Sequence, residues 1–364
     1  MDFKDTIISV VSLYSLVSLN LLTSVHRLRP STPNSWRFVL FPQFSIIRLL
    51  KLRIYQVIKL SNTRGRVNLE IKFFKYQALG NDFIIIDDLA TETKLSEDAI
   101  RTLCDRHFGV GADGVILVRP ADSRAEAVSK KQAPQGERDN FLMLYYNADG
   151  SSAAVCGNGL RCVAKFLYDE RLSLRKTLRI GTLEGAKDVN LLLEDNQVKE
   201  IRVDMGKPRF KPSEIPMKVE GEKVLNQKIE VNSEQVEVTC LSMGNPHCVI
   251  FVEEEDQAFF EAIGPALENH PLFPERTNVE FVRVIDSKTL KVSVWERGVG
   301  MTLACGTGAC ASYVASILNG YLSSPKGEVI LPGGKLGIEW PKKNHIYLTG
   351  PAEKVFSGRI HLRD

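Results

Sequence analysis

Two short segments constrain the fold of this chain more than any other feature. Cys156-Gly-Asn-Gly and Cys305-Gly-Thr-Gly each lead into a stretch of helical apolar spacing. Their cysteines lie 149 positions apart. Nine residues before each cysteine stands a polar side chain, Asn147 in one case and Glu296 in the other. Further upstream, each half carries a Gly-Asn pair after an apolar run, Gly80-Asn81 and Gly244-Asn245. Three matched features in one order point to a duplicated unit, with both Cys-Gly-x-Gly loops turned toward a shared cleft.

The texture of the body agrees with two such units. From Ile71 onward, short β-branched and aromatic runs alternate with Gly, Asn, Asp and Pro. IKFFKYQAL, DFIIIDD, GVILVRP, FLMLYY, VTCLSM, HCVIFV, VEFVRVI, LKVSVWERG, GEVILPG, LGIEW and HIYLTG all read as strands. Three segments read as helices: SEDAIRTLCDRHFG, opening on a Ser cap and ending on Gly, then LRCVAKFLYDERL and ACASYVASILNGYL. Many strands with few helices predict an α/β class fold of the mixed, α+β kind. The polar segment 124–140 reads as a surface loop.

A chain of 364 residues suffices for two domains, and 44% apolar with 25% charged residues is a globular balance. The net charge of +3 is uneven. Residues 1–68 carry ten Lys/Arg and two Asp/Glu, so +8 falls there and −5 on the remainder. A mildly acidic body argues against nucleic acid as a partner. Seven cysteines, several inside apolar runs and none in a C-x-x-C, fit reduced thiols in a cytoplasmic setting. No spacing suggests a metal site.

Residues 1–68 are excluded from the fold argument. The uncharged stretch 6–25 is long enough to span a bilayer but is diluted by Ser, Thr and Asn. The basic, Ser-containing remainder loosely resembles an organellar transit peptide, which would make a plastid the alternative compartment. An over-extended reading frame and a membrane anchor are the other two readings.

The chemistry is concentrated at the two cysteines. A Gly-x-Gly turn opening a helix leaves backbone N–H groups and a positive helix end to seat a carboxylate. The same field favours thiolate. Two such sites across one cleft suit proton removal from one face of an α-carbon and proton return to the other, with no covalent intermediate and no cofactor. Cys104, Cys162, Cys240, Cys248 and Cys310 read instead as core residues. His247, in a Gly-Asn-Pro-His turn, and Glu296 read as groups that tune a thiol or hold an ammonium. Arg297 suits a carboxylate by its bidentate fork. The amides of Asn81, Asn147, Asn158, Asn245 and Asn278 suit a zwitterion, although turn propensity alone accounts for such residues.

These residues lie in motifs that closely resemble the diaminopimelate epimerase family: KYQALGNDF (75–83), FGVGADG (108–114), YNADGS (146–151), CGNGLRC (156–162), SMGNPHCV (242–249), TNVEFV (277–282), ERG (296–298), ACGTGAC (304–310) and LTGPAEKVF (348–356). The resemblance covers about residues 71 to 360. It implies two pseudo-symmetric domains, each a strand barrel around a central helix, with the last strand returning to the first domain. The implied halves are 71–190 plus 350–364 and 195–349. It implies conversion of LL-2,6-diaminopimelate to the meso isomer in lysine and peptidoglycan synthesis, without pyridoxal phosphate. Cys156 and Cys305 become the acid/base pair. Asn81, Asn147, Gly157, Asn158, Asn245, Asn278, Glu296, Arg297, Gly306 and Thr307 become substrate contacts, with His247 and Glu296 tuning the thiols. One position departs: where some members carry Gln, this chain has Gly114. A proline racemase-like enzyme, an amino-acid-binding module and a thiol redox sensor joining Cys156 to Cys305 are the competing readings. The partner is a small molecule, and the oligomeric state, a homodimer included, stays open.

Overall fold

The strand-rich texture folds into one continuous mixed sheet of 18 strands in the computed structural model, which describes residues 68–121, 141–153 and 156–363. The N-terminal extension before Asn68 and the expected loop 124–140 lie outside the described residues.

The first series of strands comprises β1 (Asn68–Ala78), β2 (Asn81–Asp87), β3 (Gly114–Pro120), β4 (Phe141–Asn147), β5 (Ser152–Ala153), β6 (Thr177–Thr182), β7 (Gly185–Glu194) and β8 (Gln197–Gly206). After β9 (Val224–Val231) a second series follows: β10 (Glu234–Ser242), β11 (Pro246–Phe251), β12 (Asn278–Val284), β13 (Thr289–Glu296), β14 (Gly300–Thr302), β15 (Lys326–Leu331), β16 (Gly334–Glu339) and β17 (Ile346–Gly350). The last strand is β18 (Glu353–Arg363).

The two series repeat each other pairing by pairing. β1–β2 is antiparallel, β2–β3 parallel, β3–β4 and β4–β5 antiparallel, β4–β6 parallel, then β6–β7 and β7–β8 antiparallel. The second series gives the same sequence of senses from β10 to β17. β17 pairs antiparallel with β8, which joins the two series, and β18 returns to lie antiparallel along β1.

Among the described residues four α-helices punctuate the sheet: α1 (Glu97–Cys104), α2 (Gly157–Asp169), α3 (Gln257–Glu268) and α4 (Gly306–Leu318). α1 is capped by Ser96, as its sequence predicts, but it ends at Cys104 rather than running on to Gly109. Asp105 stops it by turning its carboxylate onto the N–H groups of His107 and Phe108. α3, with Pro265 inside it, is not among the helices expected from the sequence.

α2 and α4 are surrounded by strands. α2 packs against β1, β2, β4, β7, β8 and β18, and α4 against β10 to β13 and β15 to β17. Residues 157–164 of α2 and 308–316 of α4 are buried without interruption. A helix buried on all sides needs no polar face, which explains the density of Ala, Val, Leu and Cys in both. Cys162 and Cys310 are fully buried there, and Cys104, Cys240 and Cys248 are buried elsewhere in the core.

Candidate active site

Each candidate cysteine is the N-cap of a strand-wrapped helix. Cys156 Sγ accepts the Gly159 N–H at 3.4 Å, and Cys305 Sγ accepts the Gly308 N–H at 3.3 Å. Sulfur thus takes the place of the usual Ser or Asp oxygen at a cap. The first-turn N–H groups beside it have no intrahelical carbonyl to bond. The two Gly-Asn turns feed these loops, and both need positive φ, +85° at Gly80 and +102° at Gly244, which glycine adopts without strain.

Asn158 ties the two caps together. Its Nδ2 donates to Asn81 Oδ1 at 3.1 Å, beside Cys156, and to the carbonyl of Ala304, next to Cys305, at 3.2 Å. The Cys156 thiol also points at Asn81 Oδ1, 3.8 Å away. Arg161, buried completely one turn into α2, donates from Nη2 to Asn158 Oδ1 at 2.8 Å and from Nε to the Pro351 carbonyl at 3.1 Å. Replacing Arg161 by Ala leaves a large void and frees Asn158. The expected loss is about 3 kcal/mol of stability, read from chemical denaturation.

On the other side, Cys305 Sγ lies 3.4 Å from the Thr307 hydroxyl, which accepts from Asn245 Nδ2 at 3.3 Å. Asn245 Oδ1 meets His247 Nε2 at 3.0 Å, and His247 Nδ1 meets Glu280 Oε1 at 2.6 Å. Glu296 accepts from the Thr302 hydroxyl at 2.6 Å. Burial, and then the neighbouring Glu280, raises its carboxyl above the usual carboxylate range.

The remaining expected contacts have partners of their own within the chain. Asn278 is buried, and its amide donates to the Pro246 carbonyl and accepts from the Arg297 N–H. The Arg297 guanidinium donates to the Glu275 carbonyl at 2.8 Å, and the Asn147 amide donates to the Ser151 hydroxyl at 3.0 Å. Gly157 and Gly306 are the buried first residues of α2 and α4.

Two residues of consequence escaped sequence reasoning. Asp113 accepts from Asn81 Nδ2 at 2.8 Å, which turns the Asn81 oxygen toward Cys156. Arg106 holds Asp113 and Asp82 together, and Lys75 lies 2.7 Å from Asp82. Burial of Asp82 works against ionisation, but these two cations hold its pKa at about 2. Glu280 is the second. Its signal was a charge inside the apolar run NVEFV.

Gly114 has a structural reason. A Cβ there would lie 2.5 Å from Tyr145 Cε2 and 2.5 Å from the Tyr146 carbonyl. The Tyr145 ring therefore takes the space a side chain at 114 would need.

The expected lowering of the thiols by the helix ends is present but outweighed. Burial pushes Cys156 up to about 11 against the pull of the Gly159 N–H, and burial with Glu296 and Glu280 raises Cys305 well above the ordinary thiol range. Cys104 is also raised by burial, to about 11. The fold therefore keeps protons that the unfolded chain releases from about pH 9 upward. Stability from these thiols is complete below pH 9 and is lost as pH rises through 11. Thermal melts across that window should fall, and Cys104→Ala should lessen the fall.

All seven cysteines are free, and no group of three or more His, Cys, Asp and Glu among the described residues is placed to hold a metal. The described residues include no helix long and apolar enough to cross a membrane.

Known proteins are similar to this chain in sequence and in fold. The chain is 44% identical over 295 residues to a diaminopimelate epimerase of Acetivibrio thermocellus, covering 81% of this chain and 100% of that one. It is 48% identical over 296 residues to diaminopimelate epimerase 1 of Nostoc sp., covering 80% and 99%. Among solved structures, a hydroxyproline epimerase from Agrobacterium vitis superposes with a TM-score of 0.59 at 12% identity, covering 82% of this chain and 94% of that one. A PhzF-family phenazine biosynthesis protein from Bacillus anthracis superposes with a TM-score of 0.56 at 17% identity, covering 81% and 100%. At such identities these two share the fold alone. The diaminopimelate epimerase family model matches residues 73–211 and 239–355. With a cysteine capping each central helix and that match over most of its length, the chain belongs to the diaminopimelate epimerase family, a family of isomerases.

Proposed function

We propose that the protein epimerises LL-2,6-diaminopimelate to meso-diaminopimelate by proton transfer at one Cα between two cysteines, without a cofactor. One thiolate of the Cys156/Cys305 pair removes the α-proton, and the opposite thiol delivers its own proton to the other face. The thiols then stand in exchanged protonation states, ready for the reverse reaction. First-turn N–H groups of α2 and α4 hold the α-carboxylate and stabilise charge as the carbanion forms. Asn81, Asn147, Asn158, Asn245, Asn278, Glu296, Arg297 and Thr307 surround the zwitterion, and His247 with Glu296 sets the state of the thiols.

The observation that carries this reading is the Asn158 bridge, which joins two cysteine-capped helix ends in a member of an epimerase family. Residues 71–190 with 350–364 serve as one half and 195–349 as the other. β8, packed on α2 yet paired to β17, is the seam between them. The place of the reaction is lysine and peptidoglycan precursor synthesis in the cytoplasm, or in a plastid if residues 1–68 are a transit segment.

The test is incubation of reduced enzyme with the LL isomer in deuterated water. Proton NMR follows the α-proton, and chiral chromatography follows the meso product. Deuterium entering together with inversion is the expected result. Neither exchange nor inversion would sink the proposal and turn the search to proline and hydroxyproline isomers.

A further inference from the structure

The repeat is broken at one place that bears on chemistry. In the first series, Phe83 on β2 pairs with Gly114 on β3, and Ile116 follows two residues on, on the same face. In the second series, His247 on β11 pairs with Asn278 on β12, and Glu280 follows two residues on. A buried His–Glu pair therefore stands where the first half has Phe–Ile. The glycines of the two helix turns register the difference. A Cβ on Gly159 would meet Met143 Cε at 2.8 Å and Ile116 Cδ1 at 3.1 Å. A Cβ on Gly308 would meet Glu280 Oε1 at 2.8 Å and Cys305 Sγ at 3.3 Å. The carboxylate oxygen and the sulfur, both close to that one point, lie within about 6 Å of each other.

The charge of Glu280 is only partly answered. Its Oε1 is bonded to His247, but its Oε2 is fully buried with no hydrogen-bond partner among the described residues. The groups facing Cys305 are Glu280 from β12, Glu296 from β13, the Thr307 hydroxyl and Gly308 N–H of α4, and His247 of β11 through Asn245. Those facing Cys156 are Glu296, Arg161 and the N–H groups of Asn158 and Gly159. Glu296 acts on both thiols and does not discriminate between them. On the Cys156 side Asp113 lies behind Asn81, but Arg106 pairs with it; on the Cys305 side Glu280 stands without a cation of that kind.

We infer that Glu280 is a positioning residue that holds the proton on Cys305, so that of the two thiols Cys156 gives up its proton first and acts as the base while Cys305 acts as the acid. The inference rests on the two-thiol reading above and deepens it by assigning the two roles. Glu280 is among the groups that raise Cys305. The His247 ring does not cancel the effect, because it reaches the sulfur only through Asn245 and Thr307, whereas the carboxylate lies directly behind Gly308.

The experiment is site-resolved alkylation with iodoacetamide, followed by mass spectrometry, on the substrate-free enzyme near pH 8. Wild type is compared with Glu280→Gln and with the double variant His247→Phe/Glu280→Ile, which installs the pair the first half already uses. Exchange of a buried ion pair for apolar residues of similar volume is commonly neutral for stability, so the double variant answers if Glu280→Gln fails to fold. Removing the nearby charge should speed Cys305 alkylation about tenfold or more and leave Cys156 within about twofold. A Cys305 rate that is unchanged or lower in the folded variants would overturn the inference. Alkylation needs no substrate, so failure of the enzyme to act on diaminopimelate would sink the functional reading while leaving this result to stand or fall by itself.

Discussion

Replacing either Cys156 or Cys305 by alanine is expected to lower inversion of diaminopimelate by about a thousandfold or more. The loss is larger than for an ordinary general base because the reaction needs a group on each face of the α-carbon. One remaining thiol can take a proton and return it to the same face only. Each variant should therefore still exchange the α-proton of one isomer with solvent, and the two variants should differ in which isomer exchanges. Deuterium uptake without inversion, measured separately for the LL and meso isomers, checks this. Retention of inversion by either variant would refute the two-thiol mechanism. A modest fall in stability should accompany each change, about 1 kcal/mol, because each sulfur also caps its helix.

Ending the chain after Gly350 is expected to abolish folding. β18 lies along β1 from Asn68↔Arg363 to Gln77↔Glu353, and without it β1 becomes an open edge. Ile71, Phe73 and Phe74 lose cover, and the Phe73–Phe356 ring contact at 5.8 Å disappears. Exposing large side chains costs about 1.5–3 kcal/mol each. Three of them approach the whole stability of a typical domain, about 5–15 kcal/mol. The Pro351 carbonyl that accepts from buried Arg161 also goes. Loss of a cooperative thermal transition, with insoluble product on expression, is the outcome to look for. A shortened chain that melts cooperatively near the wild-type temperature would show that β18 is dispensable.

The parts of the fold that were readable are those whose pattern is set by burial. β2, β3 and β11 each hold four or five consecutive buried residues and stand out as apolar runs. α2 and α4 stood out because each follows a Cys-Gly-x-Gly turn. β7, β8 and β9 were missed because their outward residues are charged or amide-bearing, so LLLEDNQVKEIRV offers neither a long apolar run nor a helical stripe. The helix α3 was missed, and Pro265 within it removes one backbone donor from its hydrogen-bond ladder.

The site divides in the same way. Glycine turns, caps and the repeat of the two Cys-Gly-x-Gly segments are local features, written in neighbouring residues, so the chain alone determined that each of the two thiols would sit at the start of a helix. Asp113 behind Asn81, Tyr145 against Gly114, Arg161 beneath Asn158 and Glu280 behind Gly308 are contacts between residues distant in the chain. Only tertiary structure decided them, because the depth of burial and the nearest charge depend on which strands close around each helix. The sign of the thiol shifts follows from this. A helix end by itself favours thiolate, but two helices sealed inside strands desolvate their own caps, and that desolvation is the larger effect.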